Sequence, residues 1–196
     1  MDRFAQPRFH VVTGGPGGGK TTLLDHLATL GFPVMPEAGR GVIREELASG
    51  GTALPWADRA AFARRMADWE MRNLSDAEKL EGPVFFDRGL PDTLGYLVLE
   101  GLPVPPTLEE AAARTRYASP VFLAPFWPEI YLQDAERKQS AEIAARTCDV
   151  MDETYRRLGY KVLALPKVGI KERAAFLLRA AALARPFPVV GQSRLH

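Results

Sequence analysis

Gly14-Gly15-Pro16-Gly17-Gly18-Gly19-Lys20-Thr21 follows a short apolar run, Phe9-His10-Val11-Val12-Thr13, and opens a helical pattern. The spacing is Gly-x-x-x-x-Gly-Lys-Ser/Thr, the signature of a phosphate-binding loop between a strand and a helix. Glycines let the backbone curl so that successive N–H groups point inward at an anion. A helix beginning at Lys20 adds its positive N-terminal end to the same spot. In such a loop the lysine reaches the β- and γ-phosphates and the hydroxyl after it coordinates Mg²⁺. The expected nucleotide-binding residues are Gly15, Gly17, Gly18, Gly19, Lys20, Thr21 and Thr22, with ATP or GTP and Mg²⁺ as the ligands.

On either side, short apolar runs alternate with longer helical patterns, as βαβ units of a parallel sheet do. Leu23, Leu24, Leu27 and Leu30 share one side of a helix over residues 20–30, which Gly31 ends. Strands are expected at 9–13, 32–35, 84–86, 129–133 and 161–165, and helices at 56–80, 92–100, 107–117, 141–158 and 171–184. These predict an α/β fold, a three-layer α/β/α sandwich around a five-stranded parallel sheet, over residues 1–185. Residues 186–196 read as a loosely held tail. The rhythm breaks over residues 102–128, where Pro103, Pro105, Pro106, Pro120, Pro125 and Pro128 oppose regular hydrogen bonding. Phe122, Phe126 and Trp127 in this stretch fit either a surface loop folded back on the core or a lid beside the site.

Lys and Arg total 25 against 24 for Asp and Glu, so no overall field draws the chain to nucleic acid, and anion binding must be built locally. Apolar runs stop well short of the ~20 residues of a membrane span. The single cysteine, Cys148, lies in a helical pattern as a small core residue and fits a reducing compartment. With no signal-peptide pattern at the start, these features point to the cytoplasm. Oligomeric state has no sequence signal.

A second metal-side group belongs at the end of a neighbouring apolar strand. Val84-Phe85-Phe86-Asp87 supplies it, so Asp87 is the candidate to hold Mg²⁺ through water; capping the following helix is the other reading. Arg88 follows, where ring ATPases place a glutamate. One asparagine, Asn73, cannot supply the Asn-Lys-x-Asp guanine motif of signalling GTPases, and no Leu-Ser-Gly-Gly-Gln signature is present.

The chain resembles the kinase-like branch of P-loop proteins. More closely, it is similar to the family of small predicted ATPases called AAA domain. That family is related to the nicotinamide riboside kinase domain and, in animals, to a GTP-binding trafficking protein. The resemblance is carried by residues 14–22, Pro36-Glu37-Ala38-Gly39-Arg40, Phe85-Phe86-Asp87-Arg88-Gly89 with Pro91, Asp92 and Tyr96, residues 131–137, and Leu158-Gly159-Tyr160. It implies a base at Glu37, to accept the acceptor hydroxyl's proton, and a lid arginine at Arg137, with Arg146 as a second. Glu37 could instead pair with Arg40 or Arg44, and Arg137 could be a solvated charge. Asp92 and Tyr96 could line the acceptor pocket or serve as cap and core. A base-binding loop is expected at residues 166–168. The expected catalytic set is thus Lys20, Glu37, Asp87 and Arg137, with Thr21 and Asp87 on the metal. The activity expected is transfer of the γ-phosphoryl group to a hydroxyl or phosphate of a small acceptor. A slow ATP/GTP switch that reads a lipid or a protein is the alternative.

Overall fold

The structure is a computed structural model that describes residues 8–130 and 141–183. Side chains alternate across a strand, so a strand buried on both faces must be apolar at every position. In β1 (Phe9–Gly14), Phe9 and Val11 enter one core while Val12 enters the other. β3 (Val84–Asp87) divides Val84 and Phe86 from Phe85, and β4 (Val121–Ala124) divides Val121 and Leu123 from Phe122. With β2 (Val34–Met35) and β5 (Val162–Ala164), these strands form a parallel sheet in the order β2-β3-β1-β4-β5.

Helices cover both faces. Leu23, Leu24 and Leu27 of α1 (Lys20–Thr29) and Ala174 and Leu177 of α7 (Ile170–Ala180) share a core with Val12, Phe85 and Phe122. Leu74 and Ala77 of α3 (Arg59–Glu78), with Cys148, Met151 and Tyr155 of α6 (Ala141–Arg157), fill the opposite one. Phe9, Phe85, Phe86 and Phe122 are wholly buried, each stabilising the fold by about 1.5–3 kcal/mol. A smaller core joins Val42 of α2 (Ala38–Ser49), Phe62 and Met66 of α3 and Leu97 of α4 (Leu90–Leu99). Ala112 of α5 (Pro106–Arg114) packs with Leu90 and Leu94. The three-layer α/β/α sandwich with five parallel strands is the architecture expected from the sequence.

The fourth strand is not where the sequence places it. Of the strand expected over 129–133, residues 131–133 lie outside the described residues and the rest falls in a 3₁₀ turn (Pro128–Ile130); the strand beside β1 is β4, inside the proline-rich stretch. Pro120 precedes β4 and Pro125 follows it, so the prolines bracket the strand without removing a ladder N–H; Val121 N donates to the Lys161 carbonyl at 2.9 Å. Regular structure therefore runs through residues 102–128, with α5 and β4 both inside it. His10 and Cys148 are buried packing residues, His10 lying 5.3 Å from the Phe85 ring. No described helix is long and apolar enough to cross a membrane.

Candidate active site

The carboxyl ends of β1, β2 and β3 open on one edge of the sheet, the side on which open α/β sheets bind ligands. Gly14 ends β1 with φ of 123°, and a Cβ there would lie 2.3 Å from the Ala124 carbonyl oxygen, so only glycine fits. Gly19, in the left-handed region, starts α1 with no side-chain cap, leaving the helix N–H groups to face the loop. Lys20 is buried, and its Nζ donates to the carbonyls of Gly14 and Gly15 at 3.1 and 2.7 Å. Burial, with Arg88 nearby, lowers its pKa to about 8 against the pull of Asp87, Glu37 and Asp92.

Asp87 ends β3 and is buried, with Oδ1 lacking any partner. Burial first, then Glu37, raises its pKa to about 6, opposed by Lys20, Arg88 and Arg40. Asp87 does not cap α4; Asp92 does, its Oδ2 accepting from Gly89 N at 3.0 Å. Asp92 also accepts from Thr13 Oγ1 at 2.6 Å, Tyr155 Oη at 2.6 Å and Arg88 Nη1 at 3.0 Å. Asp92 is thus the helix cap foreseen from sequence, borders the cleft, and also anchors the arginine.

Arg88 sits at φ of 71°, a left-handed backbone unusual for arginine, with its N–H on the Val12 carbonyl at 3.0 Å. From there its Nε reaches Glu37 Oε1 at 3.1 Å, and Arg40 Nε takes Oε2 of the same carboxylate at 3.1 Å. The Arg40 pair foreseen from sequence exists; the Arg88 pair was not foreseen. Burial would raise the Glu37 pKa, yet Arg88, Lys20 and Arg40 together outweigh it and keep the carboxyl below its ordinary value.

Lys20, Glu37, Arg40, Arg88 and Asp92 border a cleft of about 930 Å³ whose lining comes from an α2–α3–α4 arm and an α7 arm. The α2–α3–α4 arm takes Phe62, Met66 and Glu70 from one stripe of α3, with Asp92 and Tyr96 from α4. Glu70 is only 1% exposed and its Oε2 has no partner, as does the buried Tyr96 hydroxyl. Burial above all, then Asp92, pushes Glu70 well above the carboxylate range, only partly offset by a hydrogen bond to Asn73. The other arm carries Trp127, Val168, Ile170 and Arg173.

Of the residues expected from sequence, Gly17, Gly19, Lys20, Thr21, Thr22 and Glu37 border the cleft, as do Arg146, Tyr96 and Val168 of the expected base-binding loop. Gly15 and Gly18 lie behind it, against the Ala144 and Ala124 carbonyls. Asp87 is buried at the end of β3 and is not among the residues that line the cleft. Arg137 falls outside the described residues. Sequence reading passed over Glu70 and Arg173. A polar residue at the end of the Phe62, Met66, Glu70 stripe, spaced four apart, was the available signal for Glu70.

A protein-family model described as AAA domain matches residues 9–173. No curated protein matches the chain. Among solved structures, NadR in complex with NR superimposes with a TM-score of 0.69 at 20% identity, covering 98% of this chain and 55% of that one. NadR with NAD and AMP-PNP gives 0.68 at 19% identity, covering 98% and 52%. Deoxyadenosine kinase from M. mycoides, with dCMP and dCDP, gives 0.59 at 13% identity, covering 87% and 97%. The chain thus spans about half the length of NadR. These likenesses show a kinase-like P-loop fold.

Proposed function

We propose, from the premise that this chain belongs to the AAA domain family, that it is a Mg²⁺-dependent phosphotransferase acting from ATP onto a hydroxyl of a small acceptor. The observation that carries this reading is the Lys20, Glu37, Arg88 and Asp92 cluster, which borders one cleft together with the phosphate loop and residues of α2, α3 and α4. The proposal takes residues 1–185 as one P-loop domain.

Thr21 and the unpartnered Oδ1 of Asp87 are a donor set suited to Mg²⁺, which would neutralise charge on the β- and γ-phosphates when bound. Lys20, freed from its loop carbonyls, binds the same oxygens. The acceptor hydroxyl attacks the γ-phosphorus, the bond to the β–γ bridging oxygen breaks, and ADP leaves. Glu37, ionised at neutral pH, receives the hydroxyl proton. Its low basicity suits a loose transition state, in which the proton moves late. Arg137 stays in the scheme as the lid arginine on sequence grounds alone, and Arg146 borders the cleft beside it in role.

A hydroxyl acceptor fits better than a phosphorylated one. Arg40 and Arg88 are both engaged by carboxylates, and Glu70 Oε2 and the Tyr96 hydroxyl are buried polar atoms of the acceptor arm without a partner. A second reading, a slow ATP or GTP switch, is favoured by one observation: two arginines hold Glu37 below its ordinary range, which makes it a weak base. Calorimetric titration of MgATP and MgGTP, followed by phosphate transfer to a panel of hydroxylated small molecules, separates the two. Glu37→Gln should keep nucleotide affinity and lose at least ~100-fold in acceptor-stimulated turnover. Unstimulated hydrolysis indifferent to Glu37→Gln would select the switch.

A further inference from the structure

Arg173 lies on the first turn of α7, where a cation is mildly disfavoured by the positive end of the helix. It is nonetheless 2% exposed. Nη1 donates to the Gly18 carbonyl at 3.0 Å and the guanidinium lies 5.6 Å over the Trp127 ring. Nε and Nη2 are buried and have no partner. Among the described residues no carboxylate pairs with it. A buried guanidinium stays protonated, and leaving it without a counter-ion is costly. Five N–H donors in a planar fork, with part of that fork open, match a phosphate better than any neutral group.

The surroundings say which anion. Arg173 borders the same cleft as Lys20 and Thr22, and a Cβ on Gly19 would come within 2.7 Å of its Nη1. The guanidinium therefore presses on the phosphate loop itself. Apolar Trp127, Val168 and Ile170 line the same cleft on the α7 side. A nucleotide whose phosphates lie on the loop brings them to the side where Arg173 meets Gly18 and Gly19.

We infer that Arg173 is a second phosphate-contacting cation of the nucleotide site, braced by the Gly18 carbonyl and Trp127 while Nε and Nη2 bond the phosphate chain of the donor. The inference rests on the nucleotide-binding reading above. It makes Arg173 the counterpart of Lys20 on the α7 side of the loop.

The test is calorimetry on the whole chain with two probes, MgATP and Mg-tripolyphosphate, for the native protein, Arg173→Met and Arg173→Lys, with a melting curve of each unliganded protein. A lost charge-assisted hydrogen bond predicts about 10- to 100-fold weaker binding of both probes in Arg173→Met, by the same factor. Arg173→Lys should restore part of it. The unliganded Arg173→Met protein should melt no lower than the native one, because the substitution removes an unpaired buried charge. Undiminished binding of both probes overturns the inference, as does weakening of MgATP alone, which would move Arg173 to the base or ribose. Weakened binding with a lowered unliganded melting point also overturns it, making Arg173 a strut of the loop. Failure of the native protein to bind either probe sinks the nucleotide reading itself, and this inference with it.

Discussion

Arg88 and Asp92 meet at 3.0 Å through Nη1 and Oδ1, and that same oxygen takes the Thr13 hydroxyl, so one carboxylate ties β1, α4 and the arginine together. Tyr155 on α6 adds a fourth donor, on Oδ2 beside Gly89 N. Asp92→Asn keeps the shape and removes the charge. It should cost ~2–4 kcal/mol in urea unfolding, since buried charged partners are left poorly matched. It should also lower turnover through a misplaced Arg88. A loss under ~0.5 kcal/mol would show that the four bonds are not mutually supporting.

Lys20→Ala removes the cation that is sheathed by the loop carbonyls of Gly14 and Gly15. MgATP and MgGTP affinity should drop by roughly 100-fold or more, because two charged contacts to the terminal phosphates vanish. Unchanged affinity for both nucleotides would contradict the phosphate-loop assignment outright.

Burial penalises the Glu70 anion and raises its carboxyl pKa well above the ordinary value. A raised carboxyl pKa contributes stability below the ordinary value of 4.5 that is lost as pH climbs above it. Glu70→Gln mimics the protonated form at every pH. At pH 8 it should therefore be more stable than the native protein, seen as a higher melting temperature that converges with the native one as pH falls toward 4.5. If Glu70 orients the acceptor, Glu70→Gln keeps a low KM while Glu70→Leu raises it and spares nucleotide binding. Equal KM in all three proteins would remove Glu70 from the acceptor arm.

His10 is buried in its neutral form, and desolvation lowers its pKa from 6.5 to about 4. The unfolded chain takes up the proton first, so this contribution is complete above pH 6.5 and drains away as pH falls toward 4. The full effect is ~3 kcal/mol at most. His10→Leu loses no hydrogen bond at Nδ1, which has no partner, and keeps the packing on Phe85. Urea midpoints between pH 6.5 and 4 should fall more steeply for the native protein than for His10→Leu; parallel curves would refute the assignment.

The phosphate loop, the strand-end position of Asp87 and the alternation of strands with helices were legible because each depends on local pattern: glycine spacing, the end of an apolar run, and short apolar runs set between helical periods. β4 was not, since prolines were read as breaking a strand that they only bracket. Glu37 was legible by position, but its partner Arg88 was not, because the left-handed backbone that swings Arg88 toward it has no signature in residue type. Arg173 looks like any cation on an amphipathic helix. Its meaning comes from the loop it meets, whose Gly18 lies far away in the chain.

β1 is seated between β3 and β4, and the glycines of its loop rest on the Ala124 and Ala144 carbonyls. A chain emerging from the ribosome carries the whole glycine motif early, yet has nothing to brace it until β4 and α6 have been translated. The nucleotide cradle is therefore a late product of synthesis, completed by long-range pairing that is slow by nature. Fragments ending before Ala124 should retain the motif in full and lack the site.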